Sequence, residues 1–224
     1  MTIRSVLAAG ALALSACALP TSAIAEEVFD APVAARQANE SGLQTAIFAG
    51  GCFWGIEGVF SHTRGVTSAV SGYHGGSANT ATYRQVSSGT TGHAEAVRVT
   101  YDPSVVRYDQ LLQILFSVGA DPTLHNRQGP DRGPQYRAAI VPVTPEQRAV
   151  AEAYVEQMDN SGVWDRPIAV AIERYREFYE AEDYHQDFML HNPDSAYIRR
   201  WDAPKLTALR VHFPDLYRER FRTG

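Results

Sequence analysis

The sequence predicts an α+β domain: a two-layer sandwich with a mixed β-sheet, a ferredoxin-like core and long loops. Three observations carry this reading. Short β-branched or alternating segments take turns with segments of helical spacing along the chain. From Thr45 to Phe213 no Ser/Gly linker, charge block or internal repeat breaks the pattern, so a single domain is expected. No Gly-rich dinucleotide fingerprint follows the first strand, which disfavours a doubly wound fold. The 224 residues, 45% of them hydrophobic, suffice for one sizeable core.

The elements follow in order. Thr45 to Ala49 reads as a short apolar strand ending at Gly50-Gly51, and a helix begins near Cys52 and runs toward Phe60. Val66 to Tyr73 alternates with period two and stops at Gly75-Gly76. Glu95 to Tyr101 is the clearest strand, closed by Asp102-Pro103. Tyr108 to Val118 carries Leu111, Leu112, Leu115 and Phe116 at helical spacing. Tyr136 to Val141 is a strand, and Pro145 to Asn160 a helix with Thr144 as N-cap and Gln147 completing a capping box. Ile168 to Ile172 is a further strand. Asn79–His93 and Asp121–Pro134 are long loops, where functional residues tend to gather.

Residues 1–25 are read as a secretory signal peptide. Arg4 precedes the apolar Val6–Leu14 run, and Ala23-Ile24-Ala25 offers a cleavage site. That run is too short to span a bilayer, which takes ~20 residues. Leu14-Ser15-Ala16-Cys17 also resembles a lipobox, so a lipid anchor at Cys17 is the competing expectation. Either route makes the protein exported, periplasmic or secreted, with membrane contact only if Cys17 is acylated. Residues 26–43 are expected to be a flexible lead-in with a helix around Val33 to Asn39, 44–213 the folded domain, and 214–224 a tail.

The net charge of −5 argues against nucleic acid as a partner. Two cysteines, Cys17 and Cys52, exclude a disulfide-stapled scaffold and a multi-cysteine zinc site. Export would leave Cys52 as the one free thiol. Two glycines precede it, which favours a tight turn, and a helix starting at Cys52 would lower the thiol pKa through its positive N-terminal end. A thioredoxin-type pair is excluded, because no second cysteine lies nearby. Three classes follow: a thiolate that attacks an electrophile with help from an acid, a hydrolase or acyltransferase pairing Cys52 with a histidine such as His93, and a non-enzymatic, aromatic-lined peptide-binding domain. Taken singly, Glu95 reads as a solvated strand-edge carboxylate, Tyr83 and Tyr136 as structural tyrosines, and Asp131 as a turn initiator. His185 and His191 are spaced too far apart for a helical metal pair, so no metal is expected.

Five blocks taken together resemble the peptide methionine sulfoxide reductase A family. They are Gly51-Cys52-Phe53-Trp54-Gly55, Ser71 to Gly76, Thr82 to Val97, Asp121 to Arg137 and Phe178 to Gln186. The resemblance runs from Thr45 to His191. It implies an enzyme that reduces methionine-S-sulfoxide, in proteins, peptides or as the free amino acid, through a sulfenic acid on Cys52. Glu95 would protonate the departing oxygen, Tyr83 and Tyr136 would hydrogen-bond it, and Asp131 would order the site. Gly51, Phe53, Trp54 and His185 would bind substrate, the aromatic rings holding the S-methyl group. Ala120 and Phe188 stand where relatives commonly have His and Tyr. The tail has no cysteine, so an external thiol, from a thioredoxin-like protein or a small dithiol, would have to clear Cys52. No bound cofactor is expected, and the protein is expected to be monomeric.

Overall fold

A computed structural model describes residues 28–223. The expected signal peptide, its cleavage site and Cys17 lie outside the described residues. In chain order the elements are β1 (Gln44–Gly50), α1 (Phe53–Ser61), β2 (Val66–His74), α2 (Tyr83–Val86), β3 (Ala94–Tyr101), α3 (Tyr108–Ile114), β4 (Arg127–Gln128), β5 (Asp131–Arg132), β6 (Ala138–Val141), α4 (Pro145–Asp159), β7 (Ala171–Ile172), β8 (Phe178–Glu180), α5 (Phe188–His191) and α6 (Ala203–His212).

Six strands form one sheet in the order β7-β6-β1-β3-β2-β8, and β4 and β5 form a separate two-stranded ribbon. The inner order β6-β1-β3-β2 is the interlocked split βαβ arrangement of a ferredoxin-like core. Its pairs are antiparallel, while β7 joins β6 in parallel, so the sheet is mixed as expected.

Strand parity decides what faces the helices. On β3, Val97, Val99 and Tyr101 share a face and pack with Phe48, Phe53, Ile56 and Phe60 in the main core. Glu95 has the same parity and therefore enters the layer between sheet and α1. The other face buries Ala94 and Ala96 with Ile47, Ala139 and Phe178. In α1 every residue except Trp54 is buried. The C-terminal tail closes the far end of this helix: Arg218 donates from its backbone N to His62 O (2.9 Å) and from Nε to Ser61 O (3.1 Å). Those carbonyls would otherwise be unsatisfied.

Several expectations change. The helix around Val33–Asn39 does not form. Side-chain acceptors take its amides instead: Ala35 N–H donates to Gln157 Oε1 (2.8 Å) and Ala38 N–H to Asp109 Oδ1 (2.9 Å). Ala31, Ala34 and Ala38 are buried, so this part of the lead-in is irregular but docked. The α3 helix ends at Ile114, and Leu115–Gly119 continues as a π turn. Tyr136 belongs to a 3₁₀ turn begun by Pro134, so β6 starts two residues later than expected. Of Ile168–Ile172 only the last two residues pair with the sheet; Ala169 N–H is taken by Pro122 O (2.7 Å). Thr144 caps α4 as expected, accepting from Gln147 N–H (3.1 Å). The Gln147 carboxamide reaches Val143 N–H (3.0 Å) rather than the cap residue.

Candidate active site

Strand β1 runs into Gly50-Gly51, and Cys52 stands at the N-cap of α1. Gly51 has φ +88°, and a Cβ there would lie 2.5 Å from the Cβ of Gln128. Glycine thus lets the β4–β5 ribbon close over the turn. Gln128 is itself fixed by Asp121, accepting its N–H (3.0 Å) and donating to its O (2.8 Å). This seats Asp131, on β5, over the start of α1.

Beside the thiol lies a cavity of about 380 Å³. Cys52, Phe53, Trp54, Tyr83, Glu95, Asp131 and Tyr136, each expected at the site, all line it. Phe188, Ser195 and Tyr197 complete the lining and were not expected as site residues. Phe188 stacks on Trp54 with ring centroids 3.7 Å apart and planes 8° apart. Tyr197 meets Trp54 edge-on and donates its hydroxyl to Asp131 Oδ2. Phe188 could have been found, because it lies in the last matching block's neighbourhood as a departure in the ring's substituent. Tyr197 carries no local signal at all.

His185 and Gly51 do not line the cavity. His185 sits behind the aromatic wall, 1% exposed, and accepts the indole N–H of Trp54 at Nδ1 (3.1 Å). Its ring also packs against Phe53 and Tyr83. It therefore stands behind Trp54, outside the cavity lining. Glu182 holds Tyr83 similarly, accepting its backbone N–H (2.9 Å) and the Tyr73 hydroxyl (2.8 Å). His93, the alternative base, lies outside this cavity. Its Nδ1 accepts Gly76 N–H (3.2 Å) and its Nε2 faces Ser77 O (3.1 Å). A hydrolase pairing of Cys52 with His93 is thus not assembled.

The electrostatics favour stored protons. Glu95 is 2% exposed, and burial pushes its carboxyl up to about 8, although it accepts Phe53 N–H at 3.1 Å. The nearby Asp131 and Asp202 carboxylates push in the same direction. Cys52 is partly accessible from the cavity, yet protein surrounds its sulfur, and burial raises the thiol well above its ordinary range. Glu95, Asp202 and Asp131 add to the rise, and the hydrogen bond from Trp54 N–H opposes it. This corrects the expectation of a lowered thiol: desolvation and three carboxyl groups outweigh the helix end. Burial also raises Tyr83, Tyr136 and Tyr197, so their hydroxyls remain donors at neutral pH. Asp131 is raised by burial, with the Tyr197 hydroxyl opposing. The site therefore brings together one nucleophilic sulfur, one neutral carboxyl and three phenolic donors around a space with an aromatic wall. Such a set can attack an electrophilic centre and protonate the oxygen it carries.

Comparison with known proteins agrees. The family profile described as peptide methionine sulfoxide reductase matches residues 44–215. The chain is 51% identical over 179 residues to peptide methionine sulfoxide reductase MsrA 2 of Mesorhizobium japonicum, covering 80% of this chain and 92% of that one. It is 46% identical over 189 residues to peptide methionine sulfoxide reductase MsrA of Deinococcus radiodurans, covering 82% and 91%. Among solved structures it resembles methionine sulfoxide reductase A of Corynebacterium diphtheriae (TM-score 0.57, 32% identity, 73% and 89% covered). It also resembles reduced Mxr1 of Saccharomyces cerevisiae (TM-score 0.61, 29% identity, 71% and 91% covered). With most of its length matched and its cavity built from the same blocks, the chain belongs to the peptide methionine sulfoxide reductase family.

Proposed function

We propose that the protein reduces the S epimer of methionine sulfoxide with Cys52 as nucleophile and Glu95 as proton donor. The observation that carries this assignment is the buried Glu95 carboxyl in the lining of the same cavity as Cys52. The Cys52 sulfur bonds to the sulfoxide sulfur while the sulfoxide oxygen takes a proton from Glu95. The S–O bond then breaks, the oxygen bonds to the Cys52 sulfur as a sulfenic acid, and the transient bond between the two sulfurs breaks, so that the methionine leaves reduced by two electrons. The thiol's own proton balances the one Glu95 gives up, so no net proton comes from solvent. Tyr83 and Tyr136 donate to the oxygen as charge develops on it. Asp131, oriented by Tyr197, keeps the polar end of the cavity ordered. Trp54, backed by Phe188 and His185, offers the apolar surface for the S-methyl group, with Phe53 beneath.

Cys52 is the one cysteine among the described residues. We assign regeneration to an external dithiol, either a thioredoxin-like protein or a small molecule. Its first sulfur attacks Cys52 and expels water; its second releases Cys52 and leaves as a disulfide. The amino-terminal pattern of Arg4, Val6–Leu14 and Ala23-Ile24-Ala25 supports export and cleavage after Ala25. Oxidised methionines of exported proteins are then the natural substrates. The test is turnover of each sulfoxide epimer with dithiothreitol, alongside Cys52→Ser. Reduction confined to the S epimer and abolished in the variant is expected. Full activity in Cys52→Ser overturns the assignment.

A further inference from the structure

Gly55 closes the block that contains Cys52, and nothing in the chemistry above uses it. A Cβ at this position would lie 2.2 Å from Asp202 Oδ1 and 3.2 Å from Lys205 Nζ. The glycine therefore admits a carboxyl and an ammonium against the first turn of α1, where a side chain would exclude both. Asp202 is 1% exposed and Lys205 5%, and their charged atoms lie 3.9 Å apart. Asp202 ends the turn that follows Tyr197, and Lys205 lies in α6, so both approach from the element that also supplies the Tyr197 side of the cavity.

A buried ion pair is a poor way to gain stability, because desolvation of the two charges offsets their attraction. An apolar contact over a helix would serve as well. Charge placed behind a helix start in a low-dielectric layer does reach the groups at that start. We infer that the Asp202–Lys205 pair is a positioning pair that sets the reactivity of Cys52 from behind the first turn of α1. The inference rests on Cys52 as the nucleophile and goes beyond its direct contacts.

The titratable groups around Cys52 are Glu95 from β3, Asp131 from β5, Tyr83 from α2, and Tyr136 and Tyr197, all in the cavity lining, together with Asp202 behind the first turn of α1. The Asp202 carboxylate disfavours the thiolate by its charge, after burial and Glu95. Lys205 stands beside Asp202 and also eases the charge on Asp131. Asp202 thus makes the resting sulfur reluctant to ionise, and the part assigned to Lys205, 3.9 Å from Asp202, is to offset that charge. In a protein whose oxidised cysteine must wait for an outside thiol, a protonated resting sulfur is also a slower target for stray oxidants.

The test is the rate of iodoacetamide alkylation of Cys52 in the full chain against pH, read by mass spectrometry of the peptide carrying it. Asp202→Asn should speed alkylation at pH 8, and Lys205→Met should slow it. Each change is expected to be roughly threefold, because a tenfold change in thiolate is partly offset by its changed nucleophilicity. The double variant Asp202→Asn/Lys205→Met should also react faster than wild type, since the charge that opposes the thiolate is lost. It guards against either single variant failing to fold because the local charge balance has changed, and urea midpoints report that separately. If the single variants shift the rate in the same direction, or the folded double variant matches wild type, the pair is only a staple between helices and the inference is wrong. Sulfoxide turnover measured in parallel judges the catalytic reading on its own terms: activity surviving Cys52→Ser removes that reading whatever alkylation does.

Discussion

Replacing Glu95 by Gln tests whether the carboxyl truly holds a proton in the folded enzyme. In the unfolded chain Glu95 ionises near 4.5, whereas in the fold it stays neutral up to about 8. Its folded value is raised, so the stability it allows is fully present below pH 4.5 and is lost as pH climbs to 8. Each pH unit in that window lowers wild-type stability by about 1.4 kcal/mol, a term the amide lacks. Glu95→Gln should therefore gain on wild type by about 3 kcal/mol at pH 7 and about 4 kcal/mol at pH 8 and above, relative to their difference at pH 4.5. These are ceilings, since residual structure in the unfolded chain reduces them. The amide oxygen can still accept Phe53 N–H, which preserves the local geometry. Taking the difference between the two proteins cancels the other buried acid, Glu57, whose carboxyl burial also pushes to about 8. The assay is urea unfolding from pH 4.5 to 8 under reducing conditions. Catalysis should move the opposite way, with single-turnover reduction at pH 7 slowed at least about 100-fold, the usual scale of a lost general acid. A stability difference that does not change with pH would mean that Glu95 is ionised in the fold, and it could not then be the donor at neutral pH.

Phe188→Ala removes the ring stacked on Trp54, and the KM for sulfoxide should rise roughly tenfold, the scale of a lost aromatic contact, with kcat changing less. An unchanged KM would show that the stacked pair does not shape the methyl site. Gly51→Ala forces a non-glycine residue to φ +88° and against Gln128, and should cost at least about 2 kcal/mol in urea unfolding while displacing Asp131 and impairing turnover. Gly92→Ala is its control: φ is +79° with open space around the Cβ, so only the backbone cost of about 1 kcal/mol should appear. Equal losses in the two variants would refute the close approach of the ribbon.

The residues differ in how openly the sequence declares them. Cys52 was legible because a glycine pair, a cysteine and a helical run are local features, and the helix does start there. Glu95 was not legible from its strand alone. An acid opening a strand is usually solvated, and only the pairing of β3 between β1 and β2, with α1 across one face, buries it. The resemblance of the surrounding block pointed to Glu95, while the fold explains why its proton stays. The direction of the Cys52 shift was misread for the same reason: the helix end is a local feature, but desolvation and the carboxyls of Glu95, Asp131 and Asp202 come from distant parts of the chain. His185 is expected at the site but stands one layer behind the cavity lining, since which side of Trp54 it takes depends on the packing of residues 181–191. Tyr197 and Asp202 belong to a segment without strong periodicity, and their roles arise only when it folds back over α1.

The most direct measurement mixes the reduced protein with excess S-sulfoxide substrate in the absence of any thiol. The methionine formed is counted and the peptides are weighed. One methionine per chain and one added oxygen on the peptide carrying Cys52 are predicted, with both lost in Cys52→Ser. Continued turnover without a reductant, or an oxygen found elsewhere than on Cys52, would contradict the account.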